Sequence, residues 1–247
     1  MYNRICIVCL PRSGSSWLEQ MIHNAHLHTS PRSVSLGEYF NYSAFYKNGA
    51  DVEFNMGDNN FLNWQWKTID ANTNKPEVSK DKFYQDRLEL LKKINPDQNI
   101  VLRMMMGWDS YNYEECIQEL VNLNFKIISL SRDMFDQLIS QMAVMQTNYH
   151  HSHSKFAHEN IKLKKIIINE REFKDYLTMF KTEDNARKHL EIKFNSPIIR
   201  YNNLIQDCTS NNIPIDQDVS MVKTYPLPYS RYIENYNELR EIYERSA

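Results

Sequence analysis

A short segment near the amino terminus, LPRSGSSWL at residues 10–18, has the residue types needed to bind an anion. The apolar run Ile5–Leu10 is typical of a buried strand, and the apolar spacing after it predicts a helix. A tight turn at Gly14 would leave the first N–H groups of that helix facing a ligand, where the helix dipole adds positive charge. Arg12 adds a permanent charge whose donors match phosphate or sulfate oxygens. We therefore expect an anion-binding loop, named here the phosphate loop, made of Arg12, Ser13, Gly14, Ser15, Ser16 and Trp17.

The phosphate loop differs from the Walker pattern G-x-x-x-x-G-K-[ST], because the first glycine and the lysine are missing. The alternative interpretation is a serine-rich helix cap, since serine is common before apolar helices. The strand before the loop, the Pro11–Arg12 pair and the Trp17–Leu18 pair after the serines favour a ligand site.

Strands and helices alternate along the rest of the chain. Further strands are predicted at Asn99–Trp108, Phe125–Leu130 and Ser196–Tyr201, and further helices at Lys82–Ile94, Tyr113–Leu123, Glu172–Leu190 and Tyr232–Arg245. This order predicts an α/β fold with a P-loop-like parallel sheet covered by helices on both faces, in a single domain over residues 1–247. Two polar segments, Asp51–Asn74 and His150–Glu159, are expected to be irregular.

Composition narrows the class of protein. A formal net charge of −2 provides no overall field to attract nucleic acid, so no nucleic-acid partner is expected. No apolar stretch is long enough to span a bilayer and the chain enters a strand by Ile5, so we expect neither a membrane partner nor a signal peptide. The four cysteines do not form a disulfide pattern, and the C-x-x-C at Cys6 and Cys9 lies in a strand; a cytoplasmic location follows as an expectation.

Two segments together resemble one family. PRSGSSWL resembles the 5′-phosphosulfate loop of sulfotransferases that use 3′-phosphoadenosine 5′-phosphosulfate (PAPS). LSRDMFDQLIS is similar to the 3′-phosphate motif of that family, in which an Arg ends a strand and a Ser follows eight residues later; here these are Arg132 and Ser140. Eight helical residues span about 12 Å, roughly two turns, which places both on one line. Met134 stands where the common family form has Pro.

The bacterial trehalose-sulfotransferase type is similar over two further segments. LGEYFNY carries Glu38, and VLRMMMGWDS carries Arg103 and Trp108. The later segment PIIRYNNLI resembles the family's strand-then-Tyr segment. We interpret Glu38 as the general base, because an acceptor hydroxyl must lose its proton during attack; the alternative is a solvent-facing carboxylate at a helix start. Arg103 either lines the acceptor site or pairs with a carboxylate, and Trp108 either stacks with Trp64 and Trp66 on the acceptor or packs in the core.

Other residues complete the predicted site. Lys223, in KTYPLPYSRY with Tyr225 and Tyr229, belongs either to a loop that closes over the nucleotide or to an ordinary surface loop. Arg12 is assigned an electrostatic role, since a guanidinium does not give up its proton. No metal is expected, because a sulfuryl group carries little net negative charge. The histidines of one polar loop are interpreted as solvated surface residues: His150, His151, His153 and His158.

The predicted function is transfer of the sulfuryl group from PAPS to a hydroxyl or amine of a small-molecule or carbohydrate acceptor, with 3′-phosphoadenosine 5′-phosphate as the product. One alternative is a P-loop kinase-like phosphotransferase, whose strand–loop–helix unit is built in the same way. The other is a catalytically silent nucleotide-binding protein of the same fold, which would not need a carboxylate such as Glu38 beside the sulfate.

Overall fold

The computed structural model describes residues 2–41, 50–56, 58–68, 79–107, 112–147, 165–219 and 229–246, with the backbone alone at 50–55, 58 and 63–68. The strands are β1 (Arg4–Cys9), β2 (Val34–Ser35), β3 (Ala50–Met56), β4 (Leu62–Thr68), β5 (Ile100–Met105), β6 (Lys126–Ser131) and β7 (Ile198–Arg200). The α-helices are α1 (Ser15–Thr29), α2 (Lys80–Lys93), α3 (Tyr113–Asn122), α4 (Met134–Thr147), α5 (Glu170–Lys193), α6 (Leu204–Ser210) and α7 (Tyr236–Arg245).

Five of the strands form a parallel sheet in the order β2-β5-β1-β6-β7. β1 lies at the centre, with Ile7 opposite Arg103 of β5 on one side and Ile128 of β6 on the other. Alternate residues of β1 serve the two faces of the sheet. Ile5, Ile7 and Cys9 pack against α1 and α6. Cys6 and Val8 pack on the opposite face against α2 and α3. The predicted parallel sheet with helices on both faces is therefore confirmed.

The strand order determines where a ligand can bind. The chain leaves β1 toward β2 at one edge of the sheet, and leaves β6 toward β7 at the other edge. Ligands of open α/β sheets bind where neighbouring connections diverge, outside the carboxyl ends of the strands. The phosphate loop follows β1 and Arg132 follows β6, so both lie at this divergence.

The expectation that Asp51–Asn74 is irregular was wrong over part of its length. β3 and β4 form an antiparallel hairpin in which Ala50 pairs with Thr68 and Met56 with Leu62, around a 3₁₀ turn at Asp58–Asn60. In the sequence Leu62, Trp64 and Trp66 alternate with polar residues, which is the period of a strand. The abundance of Asn and Asp on both sides concealed that period.

Smaller differences from the predicted elements concern their ends. β7 has three residues, and Tyr201 begins a 3₁₀ turn instead of ending the strand. The last helix begins at Tyr236, after a separate 3₁₀ turn at Tyr229–Arg231. Within the described residues, no helix is long and apolar enough to cross a membrane.

Candidate active site

The phosphate loop turns sharply between β1 and α1. Arg12 has a φ of 62° and Gly14 a φ of 92°, so two residues within the loop are left-handed. The Gly14 carbonyl accepts hydrogen bonds from the backbone nitrogens of Trp17 (3.0 Å) and Leu18 (3.2 Å). Gly14 has no side chain to cap the helix, so no side chain of the cap residue competes with an anion for the N–H groups at the start of α1.

A glycine is needed at position 14 for two reasons. L-residues rarely adopt its positive φ, and a Cβ would lie 2.5 Å from Cε2 of Tyr201. The Tyr201 ring also meets Trp17 edge to face, with centroids 5.9 Å apart. Trp17 in turn donates from Nε1 to the Val219 carbonyl at 2.9 Å. The two aromatic rings thus hold the loop between the ends of β1 and β7.

Arg12, Arg132 and Ser140 lie together, although they come from three parts of the chain. Nε of Arg12 donates to Oγ of Ser140 at 3.2 Å, and Nη1 of Arg132 donates to the Arg12 carbonyl at 2.9 Å. Burial lowers the pKa of Arg12, and the neighbouring charge of Arg132 adds to that effect. Two neighbouring guanidinium groups beside a helix start form a strong site for a polyanion.

Arg132 is held by aromatic residues. Its Nη2 donates to the Tyr229 hydroxyl at 3.1 Å, and its Cζ lies 4.7 Å from the centre of the Tyr201 ring. The neighbouring Gln137 donates to the Pro11 carbonyl at 3.4 Å and ties α4 to the phosphate loop. These contacts orient the Arg132 guanidinium toward the phosphate loop.

Arg103 lies on the other side of the loop, on the face of β5 that α1 covers. Its Nη1 donates to Oγ of Ser16 at 2.7 Å, and its Nε lies 2.5 Å from Oε2 of Glu19. Oε1 of Glu38 lies 3.5 Å from Nη1 of the same guanidinium. Of the two interpretations of Arg103, the pairing with a carboxylate is therefore observed, and it links Glu38 to the first turn of α1.

Glu38 follows Gly37, whose φ of 61° turns the chain at the end of β2. One oxygen, Oε2, accepts a hydrogen bond from Nδ2 of Asn41 at 2.7 Å. The side chain is 31% exposed, so the carboxylate is held from two sides and is still reachable from solvent. A carboxylate in this position can accept a proton from a group that reaches it from solvent.

The model of the sulfotransferase family matches residues 4–207, a range that runs from β1 through most of α6 and includes every residue of the arrangement above except Tyr229 and Val219. The chain belongs to the sulfotransferase family. It is accordingly a transferase, and sulfuryl transfer is the reaction of its family. Neither a curated protein nor a solved structure matches the chain significantly.

Two carboxylates near the site of this sulfotransferase, Glu19 and Glu183, were not among the site residues predicted from the sequence. Glu19 lies on the buried stripe of α1 with Ser15 and Ile22, and a carboxylate at such a position is the signal that could have indicated a buried cation. Glu183 of α5 borders the turn after β5, since a Cβ on Gly107 would lie 3.1 Å from its Cγ. Burial raises the pKa of Glu183.

Several predicted residues of the sulfotransferase lie outside the described residues, namely Lys223, Tyr225, Trp108 and the histidines 150, 151, 153 and 158. The backbones of Trp64 and Trp66 lie in β4. Within the described part of the chain, no group of three or more His, Cys, Asp or Glu side chains has the arrangement of a metal site. Tyr201 was not among the predicted site residues, although the segment that contains it resembles the strand-then-Tyr segment of the family.

Proposed function

We propose that this sulfotransferase takes its sulfuryl group from PAPS and transfers it to a hydroxyl or amine of a small-molecule or carbohydrate acceptor. The observation that supports this proposal is that Arg12 is hydrogen-bonded to both Arg132 and Ser140. PAPS has anionic groups at both its 5′ and 3′ ends. We assign the phosphate loop to the 5′ end, and Arg132 with Ser140 to the 3′-phosphate.

The donors at this site fit a bisphosphorylated nucleotide. Ser140 Oγ accepts from Arg12 Nε, so its own O–H can donate to a phosphate oxygen. The Ser13 hydroxyl is buried and, apart from its approach to the Cys9 thiol, forms no hydrogen bond with the described residues. A buried hydroxyl whose only neighbour of this kind is a thiol is costly, so an anion within its reach would stabilise the loop.

When bound, PAPS supplies the sulfuryl group and a bisphosphate leaving group. The acceptor oxygen forms the new bond to sulfur while the bond from sulfur to the 5′-phosphate oxygen breaks, and we assign the acceptor proton to Glu38. Arg12 stabilises the negative charge that develops on the 5′-phosphate; because a guanidinium keeps its proton, this action is electrostatic. Trp108 is assigned to the acceptor side and Lys223 to a loop over the nucleotide, and Arg103 is assigned to hold Glu38 at the acceptor side.

The nucleotide is tested by calorimetry with Arg132→Ala. The variant should bind 3′-phosphoadenosine 5′-phosphate about ten- to a hundredfold more weakly than the wild type, because one charge-assisted contact is worth about 1.5–3 kcal/mol. AMP lacks the 3′-phosphate, so its affinity should change little. Arg245→Ala, at a side chain 74% exposed, removes the same charge as a control. Equal affinity of the wild type for AMP and the bisphosphate would refute the assignment.

The acceptor is tested separately with radiolabelled PAPS and panels of sugars, phenols and amines. Transfer of label to a sugar hydroxyl supports the carbohydrate assignment. Label transferred only to phenols or amines would identify a small-molecule acceptor instead, and a full panel without transfer would contradict the proposed reaction.

A further inference from the structure

Glu19 is a buried carboxylate that has no role in the function proposed above. The residue is 4% exposed and lies in α1, one helical turn after Ser15 and Ser16 along the chain. Burying an ionised carboxylate costs several kcal/mol, roughly, unless its oxygens are paired and hydrogen-bonded. Its contacts therefore indicate what it holds in place.

Each oxygen of Glu19 binds a different element. Oε1 accepts hydrogen bonds from the Ser35 hydroxyl and from the backbone nitrogen of Gly37, both at 2.7 Å. Oε2 lies 2.5 Å from Nε of Arg103. One carboxylate of α1 thus joins the end of β2 to β5.

Both of these partners determine where Glu38 lies. Gly37 is the residue before Glu38, and its carbonyl accepts from the backbone nitrogen of Arg103 at 2.8 Å. The Arg103 guanidinium faces Glu38 at 3.5 Å and Ser16 at 2.7 Å. The backbone that carries Glu38 and the cation opposite its carboxylate therefore both depend on Glu19.

We propose that Glu19 is a positioning residue for the transfer reaction, which holds Gly37 and Arg103 so that the Glu38 carboxylate faces the start of α1. The proposal rests on the proposed function, in which Glu38 is the base. Glu19 also keeps Glu38 available. Arg103 pairs closely with Glu19 at 2.5 Å and more loosely with Glu38 at 3.5 Å, so its charge is already compensated before an acceptor binds.

The pKa of Arg103 agrees with its pairing to both Glu19 and Glu38. Burial acts to lower the pKa of Arg103, but the negative charges of Glu19 and Glu38 outweigh burial and raise it. Without Glu19, Arg103 would be left with Glu38 as its carboxylate partner in this arrangement. A base held in a close ion pair is poorly placed to take a proton from the acceptor.

The test is Glu19→Gln, assayed for turnover and for bisphosphate binding. An amide of the same size has no charge to pair with Arg103, and its NH₂ group lies against either Gly37 N–H or the Arg103 guanidinium, so it cannot hold both groups. We expect kcat to fall about tenfold to a hundredfold, as expected for a displaced catalytic group. The bisphosphate should bind no more weakly than to the wild type, because a negative charge near the anion site has been removed. A merely structural role would weaken binding and turnover together.

A double-mutant cycle shows whether Glu19 acts through Glu38. In a Glu38→Gln background, adding Glu19→Gln should change kcat by less than about threefold, since the group being positioned is already lost. Glu89→Gln, an exposed carboxylate of α2, removes the same charge and should leave kcat unchanged. Glu19→Asp keeps the charge, so it should fold even if Glu19→Gln does not. Its turnover should lie between those of Glu19→Gln and the wild type.

Three outcomes would overturn the proposal: a wild-type kcat in Glu19→Gln, the full single-variant loss repeated in the Glu38→Gln background, or bisphosphate binding lost together with turnover. Where Glu19→Gln does not fold, Glu19→Asp with wild-type kcat would overturn it. The wild type is measured first. A wild type that neither binds the bisphosphate nor transfers label from PAPS refutes the proposed function itself, and the role of Glu19 with it.

Discussion

Arg12 and Arg103 both contact the phosphate-loop region, but their surroundings differ. Arg12 is linked to Ser140 and lies beside a second cation, Arg132, and burial lowers its pKa. Arg103 is paired with two carboxylates, Glu19 and Glu38, whose charges raise its pKa against the effect of burial. Two positive charges, those of Arg12 and Arg132, therefore lie close together beside the start of α1, whereas the charge of Arg103 is paired with carboxylates of the protein.

Replacing Arg12 with Ala should lower turnover by about 10²–10³-fold, the usual effect of removing a group that stabilises developing charge. Arg12→Lys should retain part of the activity, because lysine keeps the positive charge. It should not retain all of it, because lysine lacks the forked donors of a guanidinium. Melting temperatures should change little in either variant, since Arg12 is assigned to the bound nucleotide and not to the core. An Arg12→Ala variant as active as the wild type would contradict this role.

Glu38→Gln keeps the size and hydrogen bonding of the side chain but removes its charge. Turnover should fall by about 10²–10⁴-fold, the range for loss of a general base. Affinity for the bisphosphate, measured by calorimetry, should remain at the wild-type value because Glu38 is not assigned to the nucleotide. Turnover within threefold of the wild type would assign the base to another group, and Glu183 beside Gly107 would then be tested in the same way.

At the scale of elements, the site is built where three strands end. The turn after β1 carries Arg12 and Gly14, and the ends of β6 and β7 carry Arg132 and Tyr201. The Tyr201 ring lies against Gly14 and 4.7 Å from Cζ of Arg132, which restricts the positions of both residues. The fit of the phosphate loop thus depends on a residue that lies in a separate element.

Gly14→Ala should destabilise the protein more than Gly37→Ala. Both positions have positive φ, which costs an L-residue about 1–2 kcal/mol. At Gly14 a Cβ also overlaps Tyr201 at 2.5 Å, whereas at Gly37 the nearest atom, Nη2 of Arg103, lies 3.8 Å away. Denaturant unfolding measures both losses, and Tyr201→Ala should recover the part due to overlap. Equal losses at the two glycines would show that the Tyr201 contact has no energetic weight.

At the scale of the whole molecule, α5 connects two parts of the core. Its first half contributes Phe173 and Phe180 to a cluster with α4 and α7, and its second half contributes Leu190 to the cluster under the sheet. Between them Arg187, 4% exposed, binds Asp184, Glu191 and the Ser129 hydroxyl of β6. This buried network fixes α5 against the strand that leads to Arg132.

Asp184→Asn should reduce stability in a manner that depends on pH. Burial acts to raise the pKa of Asp184, but hydrogen bonds from Lys188 and Arg187 outweigh burial and lower it. A lowered pKa stabilises the fold above the unfolded value of about 3.9, and this stabilisation is lost as the pH falls through the folded value. At pH 7 the variant should lose about 1.5–3 kcal/mol in free energy of unfolding.

Denaturant unfolding at several pH values checks this prediction. The wild-type and Asp184→Asn curves should approach one another below about pH 4. Glu241→Gln, at a side chain 72% exposed, should show no such convergence. A difference that stays constant with pH would mean that the loss comes from packing and not from the charge of Asp184.

The sequence alone determined the parts of this protein whose geometry is local. The apolar run of β1, the turn at Gly14 and the helix after it follow from neighbouring residues. The parallel sheet also followed, because alternating strands and helices leave few other arrangements. The β3–β4 hairpin was missed, since its alternation lies within a polar composition.

Only the tertiary structure decided which distant residues meet. β5 lies between β1 and β2 in the sheet, although it follows both along the chain, and this places Arg103 opposite Glu19 and Glu38. Likewise the end of β7 brings Tyr201 onto Gly14. Strand order is set by how all the buried faces pack together, and residue spacing contains no direct record of it. The role of the buried Glu19 carboxylate therefore follows from the position of Arg103 in the sheet and not from the sequence around Glu19.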